Sequence, residues 1–214
     1  MARSTAHRLL AMLVCRDFAV QDERHVYRAG PVLELAAHSP SFAFQLRATV
    51  LPHLHRLVGV FDESANLSVR TGDTVWFIAS VECARSLRVG SHEGMVFPAH
   101  RTTAGLLLAE MPGQELEEVY AAERYDRPGE RPDLAQLQTE LARVRRTGFA
   151  LNQGRSERGV VALGVPVRGP DGDPLAGLSV SMPSVRYDRH QLPSLFNILT
   201  RAAGAIEAEL ARAA

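Results

Sequence analysis

Lysine is absent from this 214-residue chain, so all 24 basic residues are Arg. We read this as the coding bias of a GC-rich genome; its one physical consequence is that Arg is the better fork for phosphate. Cysteine is scarce: Cys15 and Cys83 stand in no metal-type or redox-type spacing, which fits a reducing cytoplasm. No apolar run approaches the length of a membrane span, and the first residues lack a signal-peptide layout. A cytoplasmic protein is therefore expected. Net charge of either sign is also missing, the formal balance being zero. With no global basic field, contact with nucleic acid has to come from a local patch. Residues 1–30 tilt that way only slightly, with five Arg against three acids. Catalytic signatures are lacking too. Neither cysteine has a His and an acid in a known order, and there is no phosphate loop, metal motif or cofactor motif, so an enzyme is not expected.

What is present is an ordinary globular composition, 46% hydrophobic and 22% charged, enough for a sizeable core. The strongest local pattern is a pair of strands, 159–168 and 174–183, around the turn Gly169-Pro170-Asp171-Gly172-Asp173-Pro174. Alternation places Val161, Leu163, Val165 and Val167 on one face of the first arm, and Ala162, Gly164 and Pro166 on the other. On the second arm Ala176, Leu178, Val180 and Met182 oppose Gly177, Ser179 and Ser181. Each arm thus has a large apolar face and a small or hydroxylated one. The small faces read equally as the solvent side of a half-buried sheet or as a dished wall with room for a ligand.

In chain order, Ser4 or Thr5 caps a helix to about Arg16, with Ala6, Leu9, Leu10, Leu13 and Val14 as its apolar stripe. Arg3, Ser4, Thr5, His7 and Arg8 crowd its other face, a composition that either caps a core or reads a major groove. Residues 18–28 read as a short hairpin. A helix at 32–38 and a longer one at 41–61 follow, the second apolar around much of its circumference. His53 and His55 are two apart and do not form a helical metal pair. Strands at 66–70 and 75–81 flank a Gly-containing turn, and Leu87–Val89 reads as a third short strand. A Gly-rich loop at 90–101 runs into a helix beginning near Thr102, whose free amides would suit a carboxylate. A short acidic helix at 114–123 and a helix capped by Asp133 and stopped by Gly148 precede the central strands. A helix from Asp188 to about Arg212 closes the chain.

The run STAHRLLAMLVCRDFAVQDERHVYRAGPVLELA resembles the recognition helix, wing and linker start of the IclR family of bacterial transcriptional regulators. Phe97-Pro98-Ala99-His100 with Thr102–Gly105 resembles the family's loop at its effector pocket. The resemblance implies an α+β fold with a GAF-like or profilin-like antiparallel sheet flanked by helices, behind a truncated winged helix-turn-helix and a linker helix. The corresponding domains are 1–30, 31–64 and 65–214. It implies DNA contacts from Arg3, Ser4, Thr5, His7 and Arg8 on the helix and Arg24 and Arg28 on the wing, assembly as a homodimer or homotetramer, and no metal or cofactor. Carried over by position, the effector contacts are Thr103, Ala104, Asn152, Ala162, Ser179 and Ser181. Some members carry Asp at the place of Asn152 and Cys at that of Ala162. An amide donates to a carboxylate that an Asp would repel, so a small organic acid, aliphatic or aromatic, is the expected effector. Met1 falls directly before the recognition-like helix, whereas the family module begins with two further helices. A ligand-responsive regulator and a small-molecule sensor acting through protein partners both remain open on that ground.

Overall fold

The structure is a computed structural model and describes residues 9–14, 19–21, 27–29, 40–111, 113–121 and 131–213. Residues 9–14 are helical (α1), and Ala19–Gln21 (β1) pairs antiparallel with Tyr27–Ala29 (β2), as expected for a hairpin across 18–28. Arg28 lies in β2 opposite Val20. Arg3, Ser4, Thr5, His7, Arg8, Cys15 and Arg24, and the helix expected at 32–38, lie outside the described residues.

From Pro40 the chain builds one six-stranded antiparallel sheet with helices on both faces. The elements are Pro40–Phe61 (α2), Ser64–Thr71 (β3), Thr74–Val81 (β4), Val96–Pro98 (β5), Gly105–Ala109 (α3), Gly113–Val119 (α4) and Leu134–Thr147 (α5). Ala150–Gln153 (β6), Val160–Arg168 (β7), Pro174–Pro183 (β8) and Leu192–Ala213 (α6) complete it. The strand order is β5-β4-β3-β8-β7-β6, so the β7–β8 hairpin read from the sequence lies inside the sheet, between β3 and the edge strand β6.

The face bearing Val161, Leu163, Val165, Val167, Leu178 and Val180 is the main core. Leu46, Val50, Leu54 and Leu57 of α2 and Leu195, Leu199, Ala203 and Ile206 of α6 pack on it, each set at the three-and-four spacing of a helical stripe. His53 is buried at this helix pair and its Nε2 meets Glu209 Oε1 at 3.1 Å, tying α2 to α6. Phe44, on the far side of α2, is 71% exposed. The opposite face carries a second cluster. Val75, Phe77 and Ala150 of the sheet meet Leu106, Met111, Leu116, Tyr120, Leu137, Leu141 and Val144. Asp133 caps α5 by accepting from the amides of Ala135 and Gln136, and Gly148 ends it in the left-handed region at φ 75°.

Three local expectations are corrected. Leu87–Val89 is not a strand: the Leu87 carbonyl accepts from Arg186 Nη1 at 2.8 Å and the Val89 carbonyl from Ser64 Oγ at 2.6 Å, side-chain donors in place of a partner strand. The edge strand is instead β5, inside the expected loop; Pro98 is tolerated there because an edge strand need not donate from every residue. No long helix begins at Thr102. A 3₁₀ turn occupies Ala99–Arg101, Thr102 is extended, and α3 has five residues. The last helix likewise starts at Leu192, after a separate 3₁₀ turn at Arg189–Gln191 capped by Asp188.

Candidate functional site

The antiparallel register assembles the small-residue face. Ala162 pairs with Ser181 and Gly164 with Ser179 across β7 and β8, Asn152 of β6 pairs with Ala162, and Asn66 of β3 pairs with Ser179. All point to the side away from α2 and α6. The segment 102–104 lies down on this face over its two glycines. A Cβ on Gly164 would stand 2.7 Å from Thr103 Cβ, and one on Gly177 would stand 3.8 Å from Ala104 Cα. The missing side chain at Gly164 is therefore what lets Thr103 approach the sheet.

Beside this contact the face is open and forms a cavity lined by Ala162, Ser179, Ser181, Asn152, Thr102, Thr103, Ser156, Glu157, Val160, Phe77, Phe97 and His92. Its empty volume is about 360 Å³, counted to the open mouth.

The polar floor is a relay. Ser80 Oγ donates to Asn66 Oδ1 at 2.7 Å, and Asn66 Nδ2 donates to Ser181 Oγ at 3.3 Å. Ser181 accepts there with one of its two lone pairs, and its hydrogen is not committed to another described residue. Ser179 Oγ makes no hydrogen bond to another described residue. The mouth is aromatic: Phe77, Phe97 and His92 form a triangle with ring centroids 5.3–5.5 Å apart. His92 Nε2 meets Glu157 Oε2 at 3.1 Å, joining the β4–β5 loop to the β6–β7 loop across the opening.

Residues 43–208 match the family described as bacterial transcriptional regulator IclR C-terminal. The chain belongs to that family. It is 29% identical over 211 residues to the HTH-type transcriptional regulator BhcR of Paracoccus denitrificans (strain Pd 1222), covering 95% of this chain and 74% of BhcR. An IclR homolog from Microbacterium hydrocarbonoxydans, solved in complex with 4-hydroxybenzoate, superposes with a TM-score of 0.69 at 27% identity, covering 100% of this chain and 88% of that one. The Agobacterium tumefaciens repressor BlcR superposes with a TM-score of 0.69 at 26% identity, covering 98% and 85%.

In this IclR-family chain the structure gathers Thr103, Asn152, Ala162, Ser179 and Ser181 at one cavity, but changes what two of the six expected residues do. Ala104 is buried against Gly177 and does not line the cavity; its amide donates to Thr102 Oγ1 at 3.2 Å and is not free for an anion. Asn152 lines the cavity, yet both its amide hydrogens are engaged, by the Arg101 carbonyl and by Ser156 Oγ, each at 2.8 Å. Its Oδ1 accepts from the Arg155 amide at 2.9 Å. Here it braces the loop that carries Glu157. A five-residue α3 also has too little aligned backbone to act as a dipole site.

Asn66, Phe77, His92 and Glu157 were not singled out from the sequence. Asn66 had a usable signal: Ser64, Asn66 and Ser68 alternate with Ala65, Leu67 and Val69, the same small-polar against apolar pattern as β8. Among the described residues no three metal-ligating side chains converge, and no helix is long and apolar enough to cross a membrane.

His100, from the family-like loop, turns away from the cavity onto Tyr120, with centroids 5.7 Å apart and rings nearly perpendicular. Burial, reinforced by the Arg101 charge, pushes its pKa down to about 4. The unfolded chain binds that proton near the ordinary value of 6.5, so it takes up more protons than the folded chain between the two. Stability from this site is complete above 6.5 and is lost as pH falls toward 4. Allowing for partial exposure, the total change over this window amounts to on the order of 1–2 kcal/mol. Urea melts from pH 7 to 4 are expected to show it, and His100→Phe is expected to flatten it.

Proposed function

We propose that the chain is a ligand-responsive transcriptional regulator that senses a small organic acid in the cavity of the central sheet. The observation that carries this is the convergence of two serine hydroxyls, Ser179 and Ser181, with Thr103 under an aromatic mouth. Among the described residues no arginine lines the cavity, so an acid would be held by neutral donors on buried side chains, where each hydrogen bond counts for more. The homologue solved with 4-hydroxybenzoate supports an acid of about that size. Output would come through residues 3–28 contacting operator DNA, with Arg3, Ser4, Thr5, His7 and Arg8 on the helix and Arg24 and Arg28 on the wing. The acid would change the relative placement of two such modules in a cytoplasmic homodimer or homotetramer.

Titration calorimetry with a panel of aliphatic and aromatic monocarboxylates, 4-hydroxybenzoate included, tests the sensing step. At least one acid is expected to bind. Ser179→Ala with Ser181→Ala is expected to weaken that acid by about 10- to 100-fold, the equivalent of one or two hydrogen bonds to a charged group. A gel shift on the upstream intergenic DNA, with and without the same acid, reads the output. Absence of any binding acid, or an affinity indifferent to the serine pair, rejects the reading.

A further inference from the structure

The mouth of the cavity holds a polar atom that the fold leaves without a partner. His92 Nδ1 is buried and accepts no hydrogen bond, while the other ring nitrogen, Nε2, faces the Glu157 carboxylate at 3.1 Å. An ionised carboxylate only accepts, so Nε2 carries the hydrogen in that pair. The tautomer that meets Glu157 therefore leaves the Nδ1 lone pair bare, on a ring that lines the cavity. Turning the ring would give up the Glu157 contact, and Phe77 and Phe97 pack against it on two sides at centroid distances of 5.3 and 5.5 Å. A buried acceptor with no donor is costly and is relieved by any ligand that brings one.

The far side of the cavity has the opposite polarity. Asn66 donates to one of the two Ser181 lone pairs and leaves the Ser181 hydrogen free for a ligand, and Ser179 adds a second hydroxyl. One cavity thus contains donors over β8 and a bare acceptor over β4, the strand that carries Phe77. Two strand spacings separate these, with β3 between them, a distance of roughly 10 Å.

Building on the acid-sensing reading, we infer that His92 is a specificity-determining residue and that the effector is a hydroxylated carboxylic acid. Its carboxylate takes the Ser181 and Ser179 hydroxyls, and its hydroxyl donates to His92 Nδ1. A hydroxyl matches this end better than an ammonium, because one bare lone pair takes one hydrogen and an ammonium would bring two more that need acceptors. Glu157 acts through the histidine. It fixes the tautomer and does not itself touch the ligand.

The test uses the full chain and matched acids that differ by one hydroxyl: benzoate and 4-hydroxybenzoate, propionate and 3-hydroxypropionate, butyrate and 4-hydroxybutyrate. By calorimetry, at least one hydroxylated member is expected to bind about tenfold or more tightly than its plain counterpart, because a site built to accept a hydrogen bond rejects the analogue that cannot make it. His92→Phe, which keeps the aromatic triangle and removes the acceptor, is expected to bring that ratio close to one. His92→Asn, whose carboxamide oxygen lies near the Nδ1 position, is expected to retain most of it and guards against a phenylalanine variant that folds poorly. Acids that bind wild type with no hydroxyl preference, or a preference that survives His92→Phe, overturn the inference and leave the acid-sensing reading standing. Failure of every acid to bind overturns both.

Discussion

Gly164→Val is expected to lose about 2–3 kcal/mol of stability and to lower the midpoint of thermal unfolding by roughly 5–10 °C. The position is central in β7, and even the first carbon of a side chain there meets Thr103 Cβ at 2.7 Å and Thr103 Oγ1 at 3.0 Å. Thr103 is buried and cannot yield by rotating, because its Cβ is itself the clashing atom. The variant must lift segment 102–104 from the sheet, which moves a wall of the cavity and is expected to weaken acid binding in parallel. Two controls separate this cause from a general strand effect. Gly177→Ala meets nothing closer than Ser68 Oγ at 3.4 Å and is expected to stay within about 0.5 kcal/mol of wild type. Thr103→Gly in the Gly164→Val background removes the clashing carbon and is expected to restore part of the loss, as coupling between touching residues requires. A Gly164→Val protein as stable as wild type would mean that segment 102–104 does not lie on the hairpin.

The same pair of residues illustrates which features are legible in a sequence of this kind. The β7–β8 hairpin, the Asp133 cap and the Gly148 stop are all written in neighbouring residues, because alternation and capping are local signals. Ser179, Ser181 and Ala162 followed from alternation once the arms were paired. The functional half of the wall is not local. His92 and Glu157 stand 65 positions apart and Asn66 and Ser181 stand 115 apart, so neither bond has a spacing that a reader could recognise. Loop 90–101 misled for a related reason. Its two glycines and Pro98 give a coil signal, while β5 exists only because β4 offers an open edge for Val96 and Phe97 to pair with. Asn152 was legible as a lining residue and not as a brace, since its partners at Arg101 and Ser156 are chosen by how the 3₁₀ turn docks.

Asn66→Asp is expected to reduce affinity for the acid by about 100-fold, the largest effect on binding from a residue that does not line the cavity. Asn66 is fully buried, accepts from Ser80 and donates to Ser181. A carboxylate at this position accepts from both hydroxyls. Ser181 then turns its hydrogen toward β3 and presents lone pairs to the cavity, where they repel an incoming carboxylate instead of holding it. Asn66→Ala behaves differently. It frees the Ser181 hydroxyl to rotate, so a ligand can still recruit its hydrogen, and the affinity loss is expected to stay below about tenfold. Its cost falls on the fold, about 1–3 kcal/mol for the unsatisfied Ser80 and the small void. The two variants therefore separate polarity from packing. Asn66→Asp is expected to lose binding out of proportion to stability, and Asn66→Ala the reverse. Calorimetry with the acid that wild type binds, alongside thermal melts of all three proteins, measures both axes. Equal losses of affinity in the two variants would mean that the direction of the Ser181 hydrogen bond has no part in recognition.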